Sequence, residues 1–441
     1  MKKNVYIVHC IDTEGPMYES LEASFQRLKS IFGIDLAPSQ ENMRKIQNKE
    51  IDFGRKTDIV ADVFAPKRIN MNTNWNEIDA MLTKICKNEY RMILPDSSGA
   101  GWKYSWFCMD HVGFTGNNPR HRDAGYHNIY DHYKNILEQN SGLGDIIQFH
   151  YHPLSFSGEY NLQGTAYLAG KNIFEIMARN IIDREFFPTA YRPGFHVERP
   201  DSHWFLEQWI PFDYGNQSTG MQNKQEDMQY GRFSNWKGAP TEWYPYHPDY
   251  DDYRKKGNCR RYITRCLNMD ARQGMLSYED VKDAFEYANM NGDALLAFTD
   301  HDFRDMEKEI DRVRQLIQKA SAEYAEVSFY YEDAVTAMKK ILHLTNKKFS
   351  FEFDVIEYRA DKMVIRISTD GNIFGTQPFF AIKTITGDYF WDNLDYGDEE
   401  GVWYYTFDEH SFRASMIEII GVGANDCDGN VGVNTYKVGE I

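Results

Sequence analysis

Between residue 5 and about residue 340, short apolar runs alternate with longer amphipathic stretches, and no other feature limits the fold of this chain so tightly. The runs are Val5 to Asp12, Tyr104 to Asp110, Ile146 to His152, Phe187 to Arg192, Pro211 to Tyr214, Ala294 to Thr299 and Val327 to Tyr331. Their length and flanks suit strands. Between them, His127 to Gln139, Asn172 to Glu185, Tyr278 to Asn291 and Arg304 to Tyr324 repeat apolar residues at intervals of three and four, which predicts helices. Ser277 with Asp280 three residues on reads as an N-cap with a carboxylate in the first turn. The pattern predicts an α/β domain with a largely parallel sheet coated by helices. Seven is a barrel-like number.

Two spans resist this pattern. Pro16 to about Ile93 is polar and irregular apart from a helix-like segment around Glu41 to Asn48, and Gly220 to Arg261 is rich in Tyr, Trp, Asn, Asp and Gly. Both read as long loops over one face of the sheet, the second with aromatic rings suited either to sugars or to packing as a lid.

After Leu342 the texture changes. Runs such as FEFDVIEY, KMVIRIST, PFFAIKT, GVWYYTFD and NVGVNTYKV are separated by Gly, Asp and Asn turns, with no helical pattern among them. This predicts a small antiparallel, immunoglobulin-like β-sandwich over 343–441, behind a first domain over 1–342. Its aromatic residues (Phe379, Phe380, Tyr389, Phe390, Trp391, Trp403, Tyr404 and Tyr405) are expected mostly in its core. The segment around Asp426 lacks the later ligands of a calcium loop and is expected to be a turn.

A chain of 441 residues with 42% hydrophobic residues has ample material for a packed interior. Its formal charge of −17 argues against a nucleic-acid partner, whose phosphates need Lys and Arg. The N-terminus meets charged and Gly/Pro residues too early for a secretory leader, and no apolar stretch reaches the 18 residues of a membrane span. The six cysteines show no zinc-ribbon spacing, so reduced thiols in a cytoplasmic protein is the expectation.

Chemistry gathers where the apolar runs stop. The first ends in Ile-Asp-Thr-Glu-Gly-Pro; Asp12 and Glu14, two apart on extended backbone, share a side and converge at the strand exit. The third ends in Gln-Phe-His-Tyr-His-Pro, where the same geometry places His150 and His152 as a pair of imidazole donors for zinc or a similar ion. A later run ends in Thr-Asp-His-Asp, so His301 lies between Asp300 and Asp302. Those carboxylates are expected to raise its pKa toward that of a general acid, or to cap the following helix. Arg192 and Asp213 stand at two further strand ends. In a parallel α/β sheet the carboxyl ends of the strands form one rim, and that rim carries ligands.

The order Ile-Asp-Thr-Glu-Gly, Tyr-Ser-Trp-Phe, His-Tyr-His-Pro, Tyr-Arg-Pro-Gly-Phe, Phe-Asp-Tyr and Phe-Thr-Asp-His-Asp resembles the motif series of the polysaccharide deacetylase family, also called NodB-homology or carbohydrate esterase family 4. The resemblance spans roughly residues 3 to 335 and implies an irregular seven-stranded β/α barrel. It implies Asp12 as general base, a metal, Zn²⁺ first, on Glu14, His150 and His152, Arg192 as the residue that orients the base, and His301 as general acid. Asp213, a further carboxylate at a strand end, is expected with Arg192 in the catalytic set, as a supporting partner of Asp12, Glu14, His150, His152 and His301. The chain departs from the usual pattern in having Asp-Thr-Glu instead of adjacent aspartates, and His-x-His instead of histidines four apart.

The expected activity is removal of an N-acetyl or N-formyl group from an amino sugar or glycan precursor, in surface polysaccharide biosynthesis, with assembly into a homo-oligomer through the C-terminal domain. A non-catalytic carbohydrate-binding or assembly protein on the same barrel, or a hydrolase of a small non-sugar amide, are the alternatives.

Overall fold

A computed structural model of the protein describes residues 2–109, 126–153, 164–169, 172–220, 235–271, 274–359 and 361–439. Strand β1 (Asn4–Thr13) is buried along its whole length. Parallel to it run β2 (Ser105–Met109), β3 (Ile146–Tyr151), β4 (Ala190–Pro193), β5 (Phe212–Asn216), β6 (Tyr262–Asn268) and β7 (Asp293–His301). Each pairs with the next, and β7 pairs back onto β1, which closes a seven-stranded parallel barrel. An eighth strand, β8 (Ser328–Tyr331), lies against the first half of β1 at Asn4–Ile7, below the stretch Cys10–Thr13 that pairs with β2.

Alternation along β1 divides its side chains. Tyr6, Val8 and Cys10 point into the barrel, where they pack with Phe107, Tyr214, Leu295 and Ala297, while Val5, Ile7 and Ile11 face the outer helices. Parallel strands covered on both faces need apolar residues throughout, which is why these runs stood out. The helices α5 (Tyr126–Gln139), α6 (Asn172–Arg184), α8 (Tyr278–Asn291) and α9 (Met306–Glu323) fall where the periodicity puts them. Ser277 caps α8 in a reciprocal box with Asp280.

The span after β1 is not a loop. It folds into helices α1 (Leu21–Phe32), α2 (Gln40–Gln47), α3 (Thr57–Val63) and α4 (Trp75–Ile85). Phe25, Leu28, Phe32, Met43, Ile46, Val60, Val63 and Phe64 give the first three a small core of their own. Two further helices, α7 (Pro200–Trp209) and α10 (Ala334–Ile341), also went unpredicted. The set of seven barrel strands differs from expectation too: β6 stands in the ring between β5 and β7, and the run at Val327 to Tyr331 supplies the flanking β8. The aromatic-rich span is irregular where described, with a cluster of Trp236, Ala239, Tyr246 and Ile263; its residues 221–234, like Asp110 at the end of the second predicted strand, lie outside the described residues.

Beyond α10, β9 (Phe351–Tyr358), β10 (Met363–Thr369), β11 (Phe379–Thr384), β12 (Tyr389–Asp392), β13 (Asp395–Tyr396), β14 (Val402–Phe407), β15 (Ile417–Asn425) and β16 (Val431–Lys437) form two four-stranded antiparallel sheets. Phe380 and Ile382 face the space between the sheets with Trp403 and Tyr405. Phe379 and Ala381, one residue out of phase, face the barrel instead and pack on Ile176, Met177 and Ile181 of α6. Gly421 and Gly423 permit this approach, since a Cβ at either would lie 2.6 Å from Ile181 or Phe187. The segment at Asp426 is a turn in which Asp426 accepts hydrogen bonds from the backbone of Asp428 and Asn430. The cysteines are free thiols, and among the described residues no helix is long and apolar enough to cross a membrane.

Candidate metal centre at the barrel mouth

Strand registers bring the polar ends together. Asp12 is the ladder partner of His301, and His150 is the partner of Arg192. Glu14, one residue beyond β1, is held by the far side of β7: Asp302 accepts hydrogen bonds from the backbone N–H of Glu14 and of Gly15, each at 2.9 Å, and from the Tyr133 hydroxyl at 2.9 Å. Gly15 sits at φ 71, in the left-handed region open to glycine. The chain therefore turns at the mouth with both carboxylates still inside it.

Glu14, His150 and His152 form the group that could hold an ion. The two imidazole Nε2 atoms are 2.9 Å apart, and Glu14 Oε1 lies 3.6 Å from that of His150 and 3.3 Å from that of His152. Ligands 2.0–2.1 Å from a tetrahedral zinc are separated by about 3.3 Å, which these three spacings bracket. His150 Nδ1 lies 2.9 Å from the Arg192 carbonyl; a carbonyl only accepts, so the proton is on Nδ1 and the Nε2 lone pair faces the cluster. The donor set of two imidazoles and a carboxylate fits a divalent ion of the zinc type.

Asp12 is outside that group because Arg192 occupies it. Arg192 donates from Nε to Oδ1 at 2.6 Å and from Nη2 to Oδ2 at 3.0 Å, a bidentate pair with both residues buried. Burial alone would raise the Asp12 carboxyl; the charge of Arg192 and its hydrogen bonds outweigh it and hold the group well below the usual carboxylate range.

His301 completes the cluster from β7, its Nε2 lying 3.9 Å from Asp12 Oδ2 and 3.8 Å from Glu14 Oε1. Its flanking aspartates do not act as expected. Neighbours on a strand point to opposite faces, so Asp300 takes the backbone N–H of His301 and Asp302 clasps the Glu14–Gly15 turn. Neither caps α9, which starts after Asp305. Burial, with Arg304 nearby, outweighs the pull of Asp12 and lowers the His301 pKa to about 3, so the imidazole is neutral, the reverse of the expected rise.

Asp213 is the one predicted site residue that lies elsewhere. It is buried on the outer face of β5, where Arg261 meets Asp213, Glu198 and Glu207 at 3.1–3.4 Å. Sequence reading missed His196, which touches Arg192 and follows it by four residues. It and Phe195 occupy the left-handed region at φ 55 and 50, a conformation that costs non-glycine residues roughly 1 kcal/mol or more each and gathers at functional sites.

No family model, curated protein or solved structure matches this chain. The fold and site by themselves define a seven-stranded parallel β/α barrel with a buried Glu-His-His cluster at its mouth.

Proposed function

We propose that the protein is a metal-dependent hydrolase that removes an N-acyl group, acetyl or formyl, from an amino sugar or glycan precursor. The observation that carries the hydrolytic part is the convergence of Glu14, His150 and His152 beside the Arg192-clamped Asp12 and His301 at one barrel mouth. The sugar part rests on the motif resemblance. Zn²⁺ held by Glu14, His150 and His152 would polarise an acyl carbonyl and acidify a water molecule. Arg192 fixes both oxygens of Asp12, so its carboxylate presents one orientation as the base for that water's proton. His301 is neutral at rest and accepts a proton before it can give one to the departing amine. Its Nε2 is within 4 Å of Asp12 Oδ2, close enough to pass a proton through a small shift.

Metal analysis of protein purified without added metal, paired with release of acetate or formate from a panel of N-acylated sugars and small amides, tests this reading. Stoichiometric metal, turnover on the sugars, and loss of that turnover in Asp12→Asn and His301→Ala are expected. Metal-free protein that binds sugars without turning them over would leave a binding protein on a barrel; turnover confined to the small amides would remove the glycan part.

A further inference from the structure

Arg192 has five N–H donors and no acceptor. Asp12 takes two of them, the Tyr214 carbonyl takes Nη1–H at 2.6 Å, and Cys266 Sγ lies 3.1 Å from the same nitrogen. The remaining partner is His196 Nδ1, 3.3 Å from Nη2. Because the guanidinium can only donate, His196 Nδ1 accepts and the imidazole carries its proton on Nε2. The Gln217 amide nitrogen stands 2.7 Å from that Nε2; two N–H donors cannot bond each other, so the amide is turned by 180° and its oxygen receives the proton. Burial and the charge of Arg192 keep His196 neutral, as this arrangement requires.

The backbone is bent to make the contact. Four residues of extended chain would carry residue 196 about 13 Å past Arg192. Left-handed Phe195 and His196 fold it back, and the Trp236 indole N–H holds the turn by donating to the His196 carbonyl at 2.8 Å. The same turn touches the metal ligands: Phe195 packs edge-on against the His152 ring, and Gly194 lies under it.

We infer that His196 is a positioning residue that, backed by Gln217, completes the hydrogen bonding of Arg192 and so fixes the orientation of Asp12. The inference rests on the hydrolase reading for its functional meaning, but the geometry it claims is measurable without a substrate. Asn places its amide oxygen where His places Nδ1 and, like His, tolerates the left-handed region, so His196→Asn retains the acceptor. His196→Leu removes it.

The test is hydrogen exchange of the Arg192 guanidinium in ¹⁵N-arginine-labelled, zinc-loaded protein, with kcat and KM measured on any N-acyl sugar that the wild type turns over. His196→Leu is expected to speed exchange about tenfold, the change a single hydrogen bond supplies, and to lower kcat by a similar factor with KM held. His196→Asn should restore most of both. Should the Leu variant fail to fold, Gln217→Leu leaves the strained residue in place and is expected to move exchange in the same direction by less. Unchanged exchange in the Leu variants, or equal loss in Leu and Asn, overturns the inference. Absence of turnover in the wild type would sink the hydrolase reading and leave the exchange result to stand.

Discussion

Arg192 and Asp12, 180 residues apart in sequence, face each other across the barrel mouth through two parallel hydrogen bonds with almost no exposure to solvent. A buried pair of this kind is costly to break from one side, because the surviving charge has no water to turn to. Arg192→Met should therefore lower stability by roughly 3–5 kcal/mol, and Arg192→Lys, which cannot span both oxygens, by a large part of that. Urea unfolding reads the loss; a change under about 1 kcal/mol in both variants would mean that the pair is not closed in solution.

Gly194 backs the ring of His152, one of the three residues that could hold an ion. A Cβ there would lie 2.5 Å from His152 Cγ, so Gly194→Ala must displace the imidazole. The expected result is zinc affinity lower by about 10–100-fold, the range for residues that orient ligands, in a protein that still folds. Competition with a chromophoric chelator measures it, and wild-type affinity in the variant would count against His152 as a ligand.

His9 gives the fold an acid limit. It is buried among Trp102, Tyr104 and Phe298 and accepts the Trp102 indole N–H at Nδ1. Burial, with Arg314 nearby, lowers its pKa to about 3. The fold thus refuses a proton that the unfolded chain accepts below the usual histidine pKa of about 6.5. The contribution of His9 is whole above that pH and is lost as pH falls toward 3, at about 1.4 kcal/mol per unit. His9→Asn keeps an acceptor for Trp102 at the Nδ1 position and cannot titrate, so its stability should fall less steeply between pH 6.5 and 4. Parallel curves for the two proteins would exclude His9 as the source.

Asn425, at the end of β15, sews the sandwich to the barrel. Its amide donates to the carbonyls of Pro188 and Trp209 at 2.8 and 3.0 Å, and its oxygen accepts from the Thr189 hydroxyl at 2.8 Å. Asn425→Ala strands three buried groups and should cost roughly 2–4 kcal/mol. With Phe379 and Ala381 in the same apolar cluster as α6, the two parts should melt in one shifted transition. A calorimetric trace that splits in two would show the contact to be weak.

What the sequence made legible follows from burial. Strands apolar on both faces announced themselves, and so did the polar residues that ended them. β6 escaped because Arg265 interrupts it. That side chain is nearly buried, lies over the Trp243 ring and donates to the carbonyls of Ser218 and Thr241, so hydropathy reports surface where the fold has interior. The first three helices after β1 are short and bury only narrow stripes, such as Phe25, Leu28 and Phe32, against one another. At the site, residues carried by a strand end were found from spacing. The direction of Asp300 and Asp302 also followed from strand alternation, but proximity in sequence to His301 suggested otherwise. His196 had no such signal, because it reaches Arg192 through two left-handed residues that no apolar pattern marks. Asp213 stood at a strand end like the others but on the outward phase.

The packed interior beneath Asp12 and Arg192 makes the barrel a blind well. Tyr6, Val8, Cys10, Phe107 and Tyr214 fill it, so it offers no passage to the opposite end. Among the described residues, a molecule that enters the mouth therefore has no way onward through the barrel and leaves on the side by which it came.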